Sequence, residues 1–293
     1  MGCNAEVEMT TQTFDPVQYK SGQRQVWDQV AAGWKKWWPT LEEALQPVSD
    51  HLVDLAEIRH GHRVLDVGSG SGEPAVTAAR RVGLEGSVVA TDQSPQMLEI
   101  GRERATALGL KNLEFQEMDS EALEFPESSF DAVLSRFSLM FLPNLATVLF
   151  RIRGALVLDG KFATAVWDSA PRVPLASLGV NLAQQMFQMP APPAGTPSVF
   201  GLAEGRLEEA MAQAGFRRVR SEPLQVVFRF QSATAFIEFA KDLSAPLLAV
   251  LVNQPAERQS EYWVKLVAAA QQYASEDGRL RIPNTAICAV GQR

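Results

Sequence analysis

At 293 residues the chain can hold one large α/β domain, or a core domain with a smaller cap. Its 46% apolar and 21% charged residues describe an ordinary globular protein, and a net charge of −7 argues against a nucleic-acid or anionic-membrane surface. Two cysteines, Cys3 and Cys288, exclude a disulfide framework and a Cys-rich metal site; with no bilayer-length apolar run and no signal-peptide pattern, a cytoplasmic protein without membrane insertion or metal is expected.

Residues 1–13 are polar and aperiodic and read as a disordered tail. A helical region over 14–60 follows. Val26–Trp38 reads as a helix ended by Pro39, with Trp27, Trp34 and Trp38 on one face at i, i+7, i+11. That face either packs on the domain or closes as a lid over a ligand. Leu41, Ala44, Leu45, Val48, Leu52 and Leu55 keep the spacing of a second amphipathic helix, with a kink expected at Pro47. His51, His60 and His62 fall outside any chemical motif.

Val64-Leu65-Asp66-Val67 is a short apolar strand that breaks at Gly68, Gly70 and Gly72 and resumes as a helix after Glu73-Pro74. Strand, glycine turn and helix start put bare backbone N–H groups beside a ligand, with Pro74 in the first helical turn. A dinucleotide loop wants a third glycine where Glu73 stands, and a carboxylate there disfavours a pyrophosphate. A ligand with a carboxylate, a sulfonium and an adenosine fits better. The chain resembles the class I S-adenosylmethionine-dependent methyltransferases, whose first motif is an acidic residue followed by G-x-G-x-G, matched by Asp66, Gly68, Gly70 and Gly72.

Strand and helix then alternate to Asp168, so residues 61–168 read as the S-adenosylmethionine-binding core. Strands are expected at Ser87–Asp92, Leu113–Asp119, Phe130–Ser135 and Lys161–Trp167, with helices opening at Ser94-Pro95 and spanning Asn144–Leu158. Six prolines in 170–200 mark an inserted cap, so 169–293 reads as cap plus the last strands. A helix is expected over Leu202–Ala214, a sixth strand over Gly215–Val219, and helices near 232–252 and 256–275. The closing strand, Thr285–Val290, is antiparallel in the resembled family. The fold class is α/β: a doubly wound, mostly parallel, seven-stranded sheet of Rossmann-like type with N-terminal helices and a cap.

In such a sheet the ligand lies beyond the carboxyl ends of the strands. The glycine loop, with Ser69, would hold the methionine part of the cofactor. Asp92, 20 residues past Gly72, is set to accept from the ribose hydroxyls, with Gln93 beside it and Met97 against the adenine. The resemblance implies that Asp119, flanked by Met118 and Ser120, accepts from the adenine amine, and that Ser135, Arg136 and Phe137 lie along the methionine side. Ser135–Asn144 resembles a segment of small-molecule methyltransferases related to the ubiquinone/menaquinone-biosynthesis enzymes, with Met140-Phe141 where many relatives carry a His pair. Trp34, Trp38, Phe137, Met140, Phe141 and Trp167, with Met186, Phe187 and Met189 from the cap, are candidates for an apolar acceptor pocket. A base, where one is needed, is Asp168 or water; Arg136 stands either to stabilise a phenolate or to hold the cofactor's carboxylate. The expected function is methyl transfer to a small apolar or aromatic acceptor (quinone or phenol, amine, or carbon), in a monomer or homodimer. The alternatives are a non-catalytic S-adenosylmethionine-binding protein and an NAD(P)-dependent oxidoreductase.

Overall fold

The computed structural model describes residues 13–189 and 191–293. The tail expected over 1–13 therefore lies outside the described residues except for Thr13, and so do Cys3 and Pro190.

The chain opens with α1 (Pro16–Lys36) and α2 (Trp38–Leu55), followed by β1 (Arg63–Val67), α3 (Ala75–Val82), β2 (Ser87–Asp92), α4 (Pro95–Ala107) and β3 (Leu113–Glu117). Then come β4 (Phe130–Arg136), α5 (Leu145–Ala155), β5 (Leu156–Trp167), α6 (Pro174–Phe187) and α7 (Arg206–Gln213). The chain closes with β6 (Arg217–Phe230), α8 (Ala233–Leu243), α9 (Ala245–Leu251), α10 (Ala256–Ala270) and β7 (Leu280–Gln292). The seven strands lie in the order β3-β2-β1-β4-β5-β7-β6. The first five are parallel, and β7 runs antiparallel between β5 and β6. Strand order reverses between β1 and β4, the place where a wound sheet opens a crevice.

Alternation along the strands feeds two cores. Leu134, Ala163 and Ala165 face α2, α3 and the later helices α8–α10, while Val133, Phe162 and Val166 face α5 and α7. Among the described residues, no helix is long and apolar enough to cross a membrane.

Several boundaries differ from the sequence reading. The first helix starts at Pro16, where Asp15 caps it by accepting from the N–H groups of Val17 and Gln18. It stops because Trp37 leaves helical geometry (φ −91°, ψ 10°). Pro39 falls in the first turn of α2, where its missing N–H costs nothing, so it helps to start a helix and does not end one. That break divides the tryptophan face. Trp27 and Trp34 stay on α1 and pack with Ala31 against Met97 and Ile100 of α4, whereas Trp38 belongs to α2. The α-helix α2 continues through Pro47 to Leu55.

Pro74 is the N-cap of α3 and lies outside its first turn. The Asp159-Gly160 turn signal sits inside β5 as a bulge, with Asp159 at φ +65° and a register shift opposite Phe130–Ala132. The third strand ends at Glu117, which leaves Met118 and Asp119 in the following loop. Strand β6 runs far beyond Val219. Pro223 is tolerated because β6 is the edge strand, and Val226, Phe228 and Phe230 alternate into the core.

Candidate active site

Each glycine of the loop after β1 has a positive φ: +70° at Gly68, +52° at Gly70 and +97° at Gly72. A Cβ on Gly68 would lie 2.0 Å from Ser138 Oγ, so the turn after β4 can reach the loop only because this residue is glycine. A Cβ on Gly72 would come within 3.2 Å of Gly101 Cα, so this glycine lets α4 approach the loop and does not form the cavity wall. The loop N–H groups are not bare. Gly68 and Ser69 donate to the Thr91 carbonyl, Gly70 donates to Asp92 Oδ2 and Gly72 donates to the Ser69 carbonyl. The loop therefore offers a closely approachable backbone surface more than a set of free donors.

Asp66 is wholly buried, and its Oδ2 accepts from the Ala75 N–H at 3.0 Å, holding the start of α3. Burial holds its carboxyl well above the usual carboxylate range, opposed mainly by Arg136. Its neighbour in the motif, Glu73, accepts from Arg104 Nη2 at 3.2 Å and from Thr77 Oγ1 at 2.7 Å. Arg104 also donates to the Ser71 carbonyl, and its guanidinium lies 3.5 Å over the Trp38 ring. Glu73 is thus the centre of a tie between the glycine loop, α2 and α4.

A cavity of about 260 Å³ opens at the carboxyl ends of β1, β2 and β4. Of the residues expected to bind the cofactor, Gly68, Ser69, Gly70, Asp92, Gln93, Met97, Asp119, Ser120 and Arg136 line it. Asp92 is set by two backbone donors, Gly70 (2.8 Å) and Ser94 (2.9 Å); burial raises its pKa, and these N–H groups pull it back down. Asp119 Oδ1 accepts from the N–H of Glu121, and its Oδ2 accepts from Lys20 Nζ at 2.7 Å. Asp66, Gly72, Met118 and Ser135 are not at the wall. Ser135 is buried within the sheet opposite Thr164, and Met118 packs on the core beneath.

Much of the same wall is aromatic or aliphatic. Trp34, Phe137, Met140, Phe141 and Trp167 line it, with Trp27, Leu41, Leu45, Leu175, Phe228, Phe239 and Leu243. Phe137, held at φ +56°, stacks on Trp167 at 4.1 Å, and Trp27 meets Phe141 edge-on at 5.5 Å. Arg136, also at the wall, donates to Ser49 Oγ (2.8 Å) and the Leu45 carbonyl (3.2 Å).

Five further expectations fail on geometry. Trp38 is taken by Arg104. Phe187 packs toward Tyr262, and Met186 and Met189 belong to the same apolar cluster, all three off the cavity wall. Asp168 turns away: it is 5% exposed, accepts from the Ser169 N–H and from Arg172, and lies on a second cavity with Glu204 and Glu208. Sequence reasoning missed Lys20 and Gln23 of α1, Phe228 of the edge strand β6 and Phe239 of α8. Phe228 had a signal, the period-2 alternation of Val226-Phe228-Phe230; Lys20 had none.

This fold and this site define a nucleotide-type crevice at the switch point of a wound sheet, with a wall that is largely apolar. Residues 64–160 match the family model described as a methyltransferase domain. Over 121 residues the chain is 40% identical to aklanonic acid methyltransferase DauC of Streptomyces sp. (strain C5), covering 41% of this chain and 55% of that protein. Over 90 residues it is 43% identical to the ubiquinone/menaquinone biosynthesis C-methyltransferase UbiE of Stenotrophomonas maltophilia (30% and 36% of the two chains). The chain spans about half the length of the first of these curated relatives. Among solved structures it resembles the YcgJ protein of Bacillus subtilis, with a TM-score of 0.54 at 17% identity over 85% of this chain and 98% of that one. It also resembles phosphoethanolamine N-methyltransferase 2 of Haemonchus contortus, crystallised with S-adenosylhomocysteine, with a TM-score of 0.52 at 18% identity over 87% and 56%. Residues 64–160 thus match a methyltransferase domain, set in the strand order and glycine loop described above.

Proposed function

We propose that the chain methylates a small, apolar, ring-bearing molecule with S-adenosylmethionine as donor. One observation carries this reading: a single cavity is lined both by the glycine loop, Asp92 and Asp119 and by Trp34, Phe137, Trp167, Phe228 and Phe239. The residues present fit the cofactor. Asp92 offers a backbone-anchored carboxylate for a ribose diol, Met97 an apolar face for adenine, Asp119 an acceptor for the adenine amine and Arg136 a cation for the amino-acid carboxylate. When bound, the cofactor supplies a methyl group already activated on a sulfonium.

The task left to the chain is alignment and exclusion of water. Among the described residues, the cavity wall bears no His, Tyr or Cys, and its ionisable groups, Lys20, Glu73, Asp92, Asp119 and Arg136, are each hydrogen-bonded within the protein. That composition suits an acceptor that is nucleophilic without a dedicated base, and the stacked Phe137–Trp167 pair suits a flat ring. The names of the similar proteins, which refer to aklanonic acid and to ubiquinone/menaquinone biosynthesis, support an acceptor of that kind.

The test is calorimetric titration with S-adenosylmethionine, S-adenosylhomocysteine and NADH in parallel, then a methylation screen of quinones, phenols and amines. Binding of the first two without NADH, followed by turnover, is the expected outcome. Binding of NADH alone would overturn the reading.

A further inference from the structure

Helix α1 contributes more than tryptophans to the cavity. Lys20 lies on its first turns and lines the cavity beside Asp119. Its Nζ donates to Asp119 Oδ2 at 2.7 Å and to Glu121 Oε2 at 3.0 Å. Glu121 is itself fixed, because its Oε1 accepts from the N–H of Asn144 at the start of α5. One helical turn along α1, Arg24 pairs with Glu117 at the end of β3 (2.5 Å). Two cations four residues apart thus set the register of α1 over the loop that follows β3.

We infer that Lys20 is a positioning residue for nucleobase selection: it fixes the Asp119 carboxylate in the plane where it accepts from the 6-amino group of adenine. This rests on the reading of Asp119 given above. The loop's own backbone supplies just one of the two donors that hold this carboxylate, the Glu121 N–H on Oδ1. The second comes from Lys20, 99 residues away in sequence. Without it Oδ2 is free to turn toward water, since the Asp119 side chain is 39% exposed. Each carboxylate oxygen has two lone pairs, so the bond from Lys20 leaves Oδ2 able to accept again from a ligand in the cavity.

The test is calorimetry with S-adenosylhomocysteine and with S-inosylhomocysteine, whose base carries a carbonyl in place of the 6-amino group. The chains compared are the unsubstituted protein, Lys20→Met, Lys20→Arg, Asp119→Ala and the Lys20→Met/Asp119→Ala pair. The unsubstituted chain is expected to prefer the adenine ligand. Lys20→Met is expected to lose about five- to tenfold in affinity for that ligand and little for the inosine one, so the preference shrinks. Lys20→Arg should restore most of it, and Lys20→Met should cost nothing more once Asp119 is gone. A loss shared equally by both ligands, no loss, or additive effects of the two substitutions would overturn the inference alone. Failure of the unsubstituted chain to bind S-adenosylhomocysteine, or an Asp119→Ala chain that binds as tightly, would overturn it together with the reading beneath it.

Discussion

At Gly68 two requirements coincide: a backbone φ of +70° and a space already taken by Ser138 Oγ, 2.0 Å from where a Cβ would stand. Gly68→Ala should therefore destabilise the fold by on the order of 3 kcal/mol, measured by urea denaturation. Adding Ser138→Gly should recover the part due to the clash and leave the part due to φ. Equal stability of Gly68→Ala and the unsubstituted chain would mean that the loop can move aside. Asp92 makes the complementary case, because its carboxylate both anchors the loop through the Gly70 N–H and faces the cavity. Asp92→Ala should weaken S-adenosylmethionine binding by at least about tenfold, on the scale of charge-assisted hydrogen bonds. An unchanged dissociation constant in calorimetry would sink the ribose role.

At the scale of elements, the glycine loop is held to α4 by one buried ion pair. Glu73 and Arg104 are 1% and 14% exposed at their side chains, and Arg104 has no other carboxylate within ion-pairing distance among the described residues. Glu73→Gln keeps the bond to Thr77 within reach but leaves the guanidinium without its counter-ion. A loss of about 3–5 kcal/mol is expected in chemical denaturation, with a smaller loss if α4 shifts to let water in. The same residue shows what the sequence could and could not tell. Glu73 was legible as a misfit in a dinucleotide loop, because glycine spacing is local, but its partner 31 residues on was not. The parallel strands were legible for the same local reason: each is a short apolar run closed by a turn. The long strand β6 was not, since an edge strand exposes one face and tolerates Pro223, so its apolar run is diluted. On α1, Lys20, Arg24 and Lys35 look like a solvated face, yet each pairs with a carboxylate from the β3–α4 region. Asp168 illustrates the reverse error. Its position at a strand end suggested chemistry, and one backbone bond and Arg172 turn it to the other side.

For the whole molecule, carboxyls whose pKa is shifted in opposite directions decide how stability follows pH. Glu57 and Asp242 are held below the usual carboxylate range chiefly by hydrogen bonds from Lys161 and Lys36. Such groups contribute stability above their unfolded pKa and lose it as pH falls through the folded one, at the acid end of the profile. Asp66 and Asp92 act with the opposite sign, because burial raises both. A carboxyl with a raised folded pKa binds its proton more tightly folded than unfolded. Its stabilisation is therefore complete below the unfolded value, about 4, and is lost as pH rises through the folded value. Asp66 is the stronger case, wholly buried with Oδ1 lacking any hydrogen-bond partner among the described residues. Asp66→Asn keeps an oxygen for the Ala75 N–H and removes the titration. Urea midpoints taken from about pH 5 to 8 should fall for the unsubstituted chain relative to Asp66→Asn, so the variant gains on it as pH rises. Two parallel curves would mean that Asp66 keeps an ordinary pKa in the fold. The charge of Arg136 would then be offsetting the cost of burying the Asp66 carboxylate.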